Sequence, residues 1–424
     1  MNQSMNSNRS LSTIVWSMLF LTTCLYPVTA NAEDWPQWLG PQSNGVSKET
    51  KWNPKWPASG PKVLWSAQIG TGFSSIAVGD GRAYTMGNKK GNETIYCFDA
   101  KTGQVIWQKQ YPARLVGYLH AGGPSATPTI DGNGVYTLGK DGKLTRYESS
   151  TGKQVWQQNL TQVLNINVPE WGFCASPLIL GDALIIQAGA TVAMNKADGK
   201  VIWKSRQYRA AYGSSVAFKM GDATLIASLN TAGLVVVDAR NGRDVAFTKW
   251  ETKYRTNSST PMVVDDKIFI STGYGRGCSL FQLKGRQLTS VYTNTKMANH
   301  FNNSILVGNH LYGFDGNSHV MARGKAALVC LEYTTGKQVW RQGGMGCGSL
   351  MVANGIMIIL SDTGELITAK ATPSGFSAIS RAKILGGDRF SSRNPCWTMP
   401  ILANGRIYAR DAQGHLVCLD VSNP

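Results

Sequence analysis

Acid is what this sequence is short of. Its 424 residues carry 25 Asp+Glu against 42 Lys+Arg, and only 16% of positions are charged. With 42% hydrophobic residues, such a chain is too apolar to remain disordered. No two of its 8 Cys are adjacent, and it has neither a CxxC nor the CxxCH of c-type haem attachment. Most of its length leaves no room between turn signals for a helix of about 10 residues, which excludes tetratricopeptide, leucine-rich and βα-barrel arrays. It also lacks a basic helical stripe, a zinc finger and an aromatic-basic RNA-binding signature. Its positive balance therefore does not point to nucleic acid.

A long apolar run opens the chain. Arg9 precedes LSTIVWSMLFLTTCLYPV, and Ala30-Asn31-Ala32 supplies the small-x-small pattern a leader peptidase needs before Glu33. The reading is a signal peptide over 1–32 and export, with an uncleaved membrane anchor as one alternative. Lipidation of Cys24 is another, against which stands Thr23, larger than the residue usual before a lipidated cysteine. Removing the leader takes one Arg and no acid, so the formal charge of +17 falls by one. In the periplasm or another extracytoplasmic compartment, that surplus favours an anionic polysaccharide, a membrane surface, a small polycarboxylate or an envelope protein. Many Lys and Arg sit in turns such as TGK and NGR, where solvated charge is the simpler account.

The strongest signal is repetition. DAKTGQVIW ends at Trp107, ESSTGKQVW at Trp156, NKADGKVIW at Trp203, DARNGRDVAF at Phe247 and EYTTGKQVW at Trp340. The repeat glycines, Gly103, Gly152, Gly199, Gly242 and Gly336, are spaced 49, 47, 43 and 94 residues apart, and the last gap holds a degenerate copy around Gly285. The second copy reads ATPTI, DGNG, VYTLG, KDGK, LTRYE, SSTG, KQVWQQ. That is four short strands joined by hairpin turns. A four-stranded meander repeated at this period is a propeller blade.

Innermost strands begin near Ser74, Ser125, Ala175, Ser215, Ser259, Asn303, Gly348 and Trp397, which predicts an all-β, eight-bladed propeller of four-stranded antiparallel blades over 62–424. The eighth unit has three strands of its own; its outer strand is supplied by KVLWSAQ, residues 62–68, near the other end of the chain. This closure pairs an edge that would otherwise be bare. Residues 33–61 are expected to pack on the ring as an extension, and the protein is expected to be a monomer. Trp65, Trp107, Trp156, Trp203 and Trp340 are read as structural. Each can bury its ring between blades while its indole nitrogen finds a backbone carbonyl.

The TG-x-x-x-W strand ends, with YCFDAKTG in the first unit and HLVCLDV in the eighth, resemble the repeats of pyrroloquinoline-quinone enzymes and of the outer-membrane assembly lipoprotein that shares them. The similarity covers roughly residues 62–420. DWPQWLGPQSNGVS, residues 34–47, resembles the start of small exported proteins with such repeats. The resemblance implies the fold. Alcohol-oxidising members imply adjacent cysteines forming a disulfide beside the quinone, calcium near a catalytic Asp and long inserted loops, none of which can be matched here.

Connections from each outer strand to the next inner strand converge on one mouth of the central channel. They carry His120, Glu170, Trp171, Arg209, Tyr212, Tyr254, Arg255, Asn299, His300, Arg389 and Arg393. His120, Glu170 and His300 are the catalytic candidates, because imidazole and carboxylate move protons and His120 and Glu170 lie on neighbouring connections. The others are ligand-binding candidates, against the alternative of an irregular loop face bonded to itself. No metal site is assigned. Cys97, Cys330 and Cys418 recur at one buried place in third strands, whereas Cys347 and Cys396, at adjacent blade entrances, are a possible disulfide. The functional reading is an exported, non-catalytic binding or assembly scaffold without a cofactor. The alternative is a quinoprotein-like oxidoreductase acting on an alcohol or sugar, and only there are pyrroloquinoline quinone and calcium expected.

Overall fold

The computed structural model describes residues 1, 32–115, 120–317, 325–389, 391 and 393–423. Most of the leader, Cys24 included, lies outside the described residues. Eight antiparallel sheets follow one another around a channel. In the first blade the strands run outward as Ala77–Gly79, Arg82–Lys89, Asn92–Asp99 and Val105–Pro112. In the eighth they are Ile401–Ala403, Arg406–Arg410 and His415–Asp420, with Lys62–Gln68 as the outer strand. Lys62 pairs with Asp420 and Gln68 with His415, so the two ends of the chain zip the ring shut. Among the described residues the helix is a single turn, Leu160–Leu164, capped by Asn159.

The repeat motif works as a lock between neighbouring blades. Each TG glycine has a left-handed φ, +67° at Gly152, and lies flat on the tryptophan of the preceding outer strand. A Cβ on Gly152 would stand 2.6 Å from the Trp107 ring, so the side-chain-free corner is what admits the indole. The indole N–H groups of Trp65, Trp107, Trp156, Trp203 and Trp340 donate to the carbonyls of Ala100, Ser149, Lys196, Ala239 and Thr372 at 2.8–3.2 Å. Tyr292 substitutes beneath Gly336, Phe247 stacks on Tyr208, and the backbone N–H of Trp56 donates to Ser380 Oγ. Cys97, Cys330 and Cys418, all fully buried, pair in register with a tyrosine on one side and the lock tryptophan on the other. A thiol is small enough to leave both rings room.

A girdle of hydroxyl and amide side chains ties the innermost strands together. The Thr127 N–H donates to Ser176 Oγ, Ser176 N–H to Ser214 Oγ, Ser214 N–H to Thr260 Oγ1 and Thr260 N–H to Asn303 Oδ1. Asn302 donates to the Gly348 carbonyl, Ser349 to Thr398, and Thr398 to Phe73, whose own N–H reaches Pro124. Every blade thus hands a hydrogen bond to the next, which satisfies strand ends too near the axis to meet bulk water. At the closing seam, fully buried Arg410 donates to the carbonyls of Ser74, Met86, Gly70 and Asp411.

The stretch before the closing strand plugs the channel. Trp35, 1% exposed, pairs with Val78 of the first inner strand; the Pro36 carbonyl accepts from Ile130 in the second. Trp38 Nε1 donates to Thr260 Oγ1, and Gly45 packs on Ile305. Val46–Ser47 then adds a parallel strand to the inner edge of the seventh blade. A small space remains beside Trp38, lined by Ser176, Leu178, Ser214 and Val216. Val78, Ile130 and Val352 are at the hairpin-turn ends of their strands, so the plug fills the side opposite the long connections. Residues 52–54 continue outward over the last two blades, where Asn53 N–H donates to Val421 and Pro54 accepts from Thr368.

Candidate functional site

With one end filled, the open mouth lies among the connections from outer to inner strands. Its lining is an arc of aromatic rings. Trp171, His120, Phe73, Trp397, Phe301, His300, Tyr274 and Tyr254 succeed one another with centroid separations between 4.4 and 5.6 Å. Phe73, Phe301 and Trp397 immediately precede inner strands, so the hydroxyl girdle below holds their backbones. Tyr274 comes from a hairpin turn of the fifth blade. The sequence reading missed these four; the available signal was an aromatic residue just ahead of a Ser, Thr or Asn at three blade entrances.

His120 and His300, although they come from the connections into the second and the sixth blade, belong to this one arc. Burial pushes the His120 imidazole down to about 3, with the nearby Lys140 and His300 charges adding to the shift. Its Nδ1 accepts the Gly122 N–H at 2.9 Å, which leaves the ring proton on Nε2. A neutral imidazole so arranged is a weak base throughout the physiological range. His300 is 8% exposed and packs edge-on against Tyr274. Glu170 stands in solvent on the rim, beside Trp171 in sequence.

Two of the ligand-binding candidates are built into the ring. Asn299 is buried, donating to the Phe314 carbonyl and accepting from Ser304. Arg389 Nε reaches the fully buried carboxylate of Asp362 at 3.0 Å, and its Nη2 donates to Gly344. Tyr212 is half-buried, and burial raises its hydroxyl well above the ordinary range. Arg209, Arg255, Arg393 and Tyr254 are exposed; Arg255 holds a left-handed φ of +55° at the rim. No disulfide joins Cys347 and Cys396. The Cys347 thiol donates to the Asn317 carbonyl, and both backbones are drawn to Asp362, which accepts N–H groups from each.

Lys140 departs from the expectation of solvated turn lysines. It is 2% exposed, folded against Gly172, and its ammonium donates to Ser125 Oγ at 3.0 Å and to Cys174 Sγ at 3.6 Å. Its N–H meets Glu93, a fully buried carboxyl whose pKa burial raises and to which Tyr111 donates at 2.8 Å. Among the described residues, no cluster of three or more His, Cys, Asp or Glu is placed to hold a metal ion.

An eight-bladed ring of four-stranded sheets, locked by tryptophan on glycine and closed by an N-terminal strand, is a propeller of the quinoprotein-repeat class. The family model described as outer membrane protein assembly factor BamB matches residues 57–169, 92–326 and 285–375, and the chain belongs to that family. Outer membrane protein assembly factor BamB of Burkholderia pseudomallei is 26% identical over 363 residues, covering 78% of this chain and 85% of that protein. The crystal structure of BamB from Moraxella catarrhalis superposes with a TM-score of 0.61 at 16% identity, over 85% of this chain and 99% of that one. Quinohemoprotein alcohol dehydrogenase from Comamonas testosteroni superposes at 0.69 and 13% identity, over 92% of this chain and 81% of that one. At such identities these superpositions speak for the fold alone.

Proposed function

We propose that the protein is a non-catalytic scaffold of outer-membrane protein assembly, acting outside the cytoplasm and offering its aromatic mouth to another protein of that machinery. The observation that carries the reading is how the mouth uses its polar atoms. His120 accepts from its own loop, Asn299 pins a strand entrance and Arg389 is tied to Asp362. What faces outward is aromatic surface bordered by Arg209, Arg255 and Arg393. Rigid aromatic area with a cationic rim suits a protein segment with apolar side chains flanked by acids. Family membership supports this partner class, and the anionic-polysaccharide expectation receives no support from it. The scaffold needs no cofactor on this reading.

The test is purification of the tagged chain from its native envelope in mild detergent. The outer-membrane assembly machinery should co-purify, and Tyr254→Ala with Arg255→Glu should weaken the association at least about tenfold if these are anchor residues. Absence of the machinery, together with calcium-dependent dye reduction by alcohols or aldoses after loading with pyrroloquinoline quinone, would replace the scaffold with the oxidoreductase.

A further inference from the structure

The plug begins on a buried carboxylate that has hydrogen bonds but no counter-charge. Glu49 is 3% exposed. Its two oxygens accept the N–H groups of Asn404 and Gly405, the turn between the first two strands of the eighth blade. Among the described residues no Lys, Arg or His pairs with it. The remaining donor is the backbone nitrogen of Glu33, 3.1 Å from Oε1. The Glu33 side chain also folds inward, accepting from Ser47 Oγ at 2.9 Å and from the Lys48 N–H at 2.6 Å. The first residue after the small-x-small sequence is therefore held at both ends against the segment that returns from the plug.

We propose that leader cleavage after Ala32 completes this site, and that the α-ammonium of Glu33 is the missing partner of Glu49. Hydrolysis by a leader peptidase adds water across the Ala32–Glu33 peptide bond. Ala32 departs with a carboxylate, and the Glu33 nitrogen, until then a planar amide, becomes an amine and takes up a proton. A neutral N–H contact becomes a charge-assisted one in a place shielded from water. A charged amine held 3.1 Å from a buried carboxylate fixes the start of 34–47 and, through it, Trp35 and Trp38 in the channel. Processing and plugging are then one event, and the unprocessed chain carries a buried, uncompensated charge at the same point.

The exported protein is first sequenced from its N-terminus, where Glu33 is expected; a chain beginning at lipidated Cys24, or at any other residue, overturns the proposal. The processed chain is then compared with its N-terminally acetylated form and with Glu49→Gln. The pairing raises the α-ammonium above its ordinary range of about 7.7–8.0, by about one unit or more, measurable by titrating the isotopically labelled terminus. A raised pKa means that the stabilisation is complete below the unfolded value and is lost as pH rises through the folded one. Acetylation should accelerate amide exchange across residues 35–47 at least about tenfold at pH 7 and leave the blades unaffected, and Glu49→Gln should abolish the difference between free and acetylated termini. An ordinary α-amino pKa, or plug exchange indifferent to acetylation, refutes the pairing.

Discussion

Removing one lock tryptophan measures how far the ring depends on it, and Trp107 is the cleanest case. Its indole is 7% exposed, covers Gly152, and approaches Tyr84 and Tyr147 with ring centroids 5.8 and 5.9 Å away. Truncation of so buried a ring to alanine costs about 3–5 kcal/mol. The hydrogen bond contributes little of this, because the Ser149 carbonyl also accepts from Tyr84 at 3.1 Å and is not orphaned. Trp107→Phe should accordingly lose about 1 kcal/mol from the missing N–H, plus a smaller packing loss. With an m-value of about 3 kcal/mol/M, Trp107→Ala lowers the urea midpoint by about 1 M or more, and Trp107→Phe by roughly a third of that. Circular dichroism and intrinsic fluorescence should report one shared transition. Midpoints for both variants within error of the parent would refute the lock, and a loss for Phe as large as that for Ala would show that the N–H, not the ring area, carries it.

Two further outcomes follow from the mouth and the cysteines. Burial depresses the His120 imidazole to about 3, so the unfolded chain binds more protons there between roughly pH 6.5 and 3; stability falls on acidification through that window, and His120→Gln should flatten the slope of urea midpoint against pH. In the native protein Cys174, half-exposed at the mouth, should react with a maleimide before Cys97 and Cys330, which burial raises to about 11, and before Cys278 and Cys418, raised to about 12. After denaturation without reductant all seven described thiols should titrate; two fewer, with a Cys347–Cys396 cross-linked peptide on digestion, would establish the bond that the structure lacks.

The ring was legible because its rule is local and repeated. Hairpin turns, TG corners and a tryptophan at one register specify a blade within about fifty residues, and the surplus strand at 62–68 announces its own partner. The mouth was only half legible. Connections supplied its inventory, and Trp171, His120, His300 and Tyr254 do meet in one arc, yet Phe73, Phe301 and Trp397 read as ordinary strand-entry residues until eight entrances were brought around one axis. Asn299 and Arg389 show the converse: polar residues in loops that serve the backbone. Lys140 shows why charge counting misleads, since a KDGK turn looks solvated unless the next connection folds over it.

The closing strand has a consequence for how the protein is made. Lys62–Gln68 is synthesised first among the blade strands, yet its partner, His415–Asp420, arrives last. Contacts that distant in sequence form late, because the intervening chain must already be compact before its ends can meet. Throughout export, two bare strand edges therefore face the surroundings, one at each end of the growing ring, each able to recruit another copy. Loss of His415–Asp420, or a stalled translocation, would leave seven blades fully formed and the eighth unable to protect either edge. Such a product would keep every other blade strand and still be a polymerising species, which makes the single strand His415–Asp420, paired on both of its edges, a quality-control checkpoint for the whole molecule.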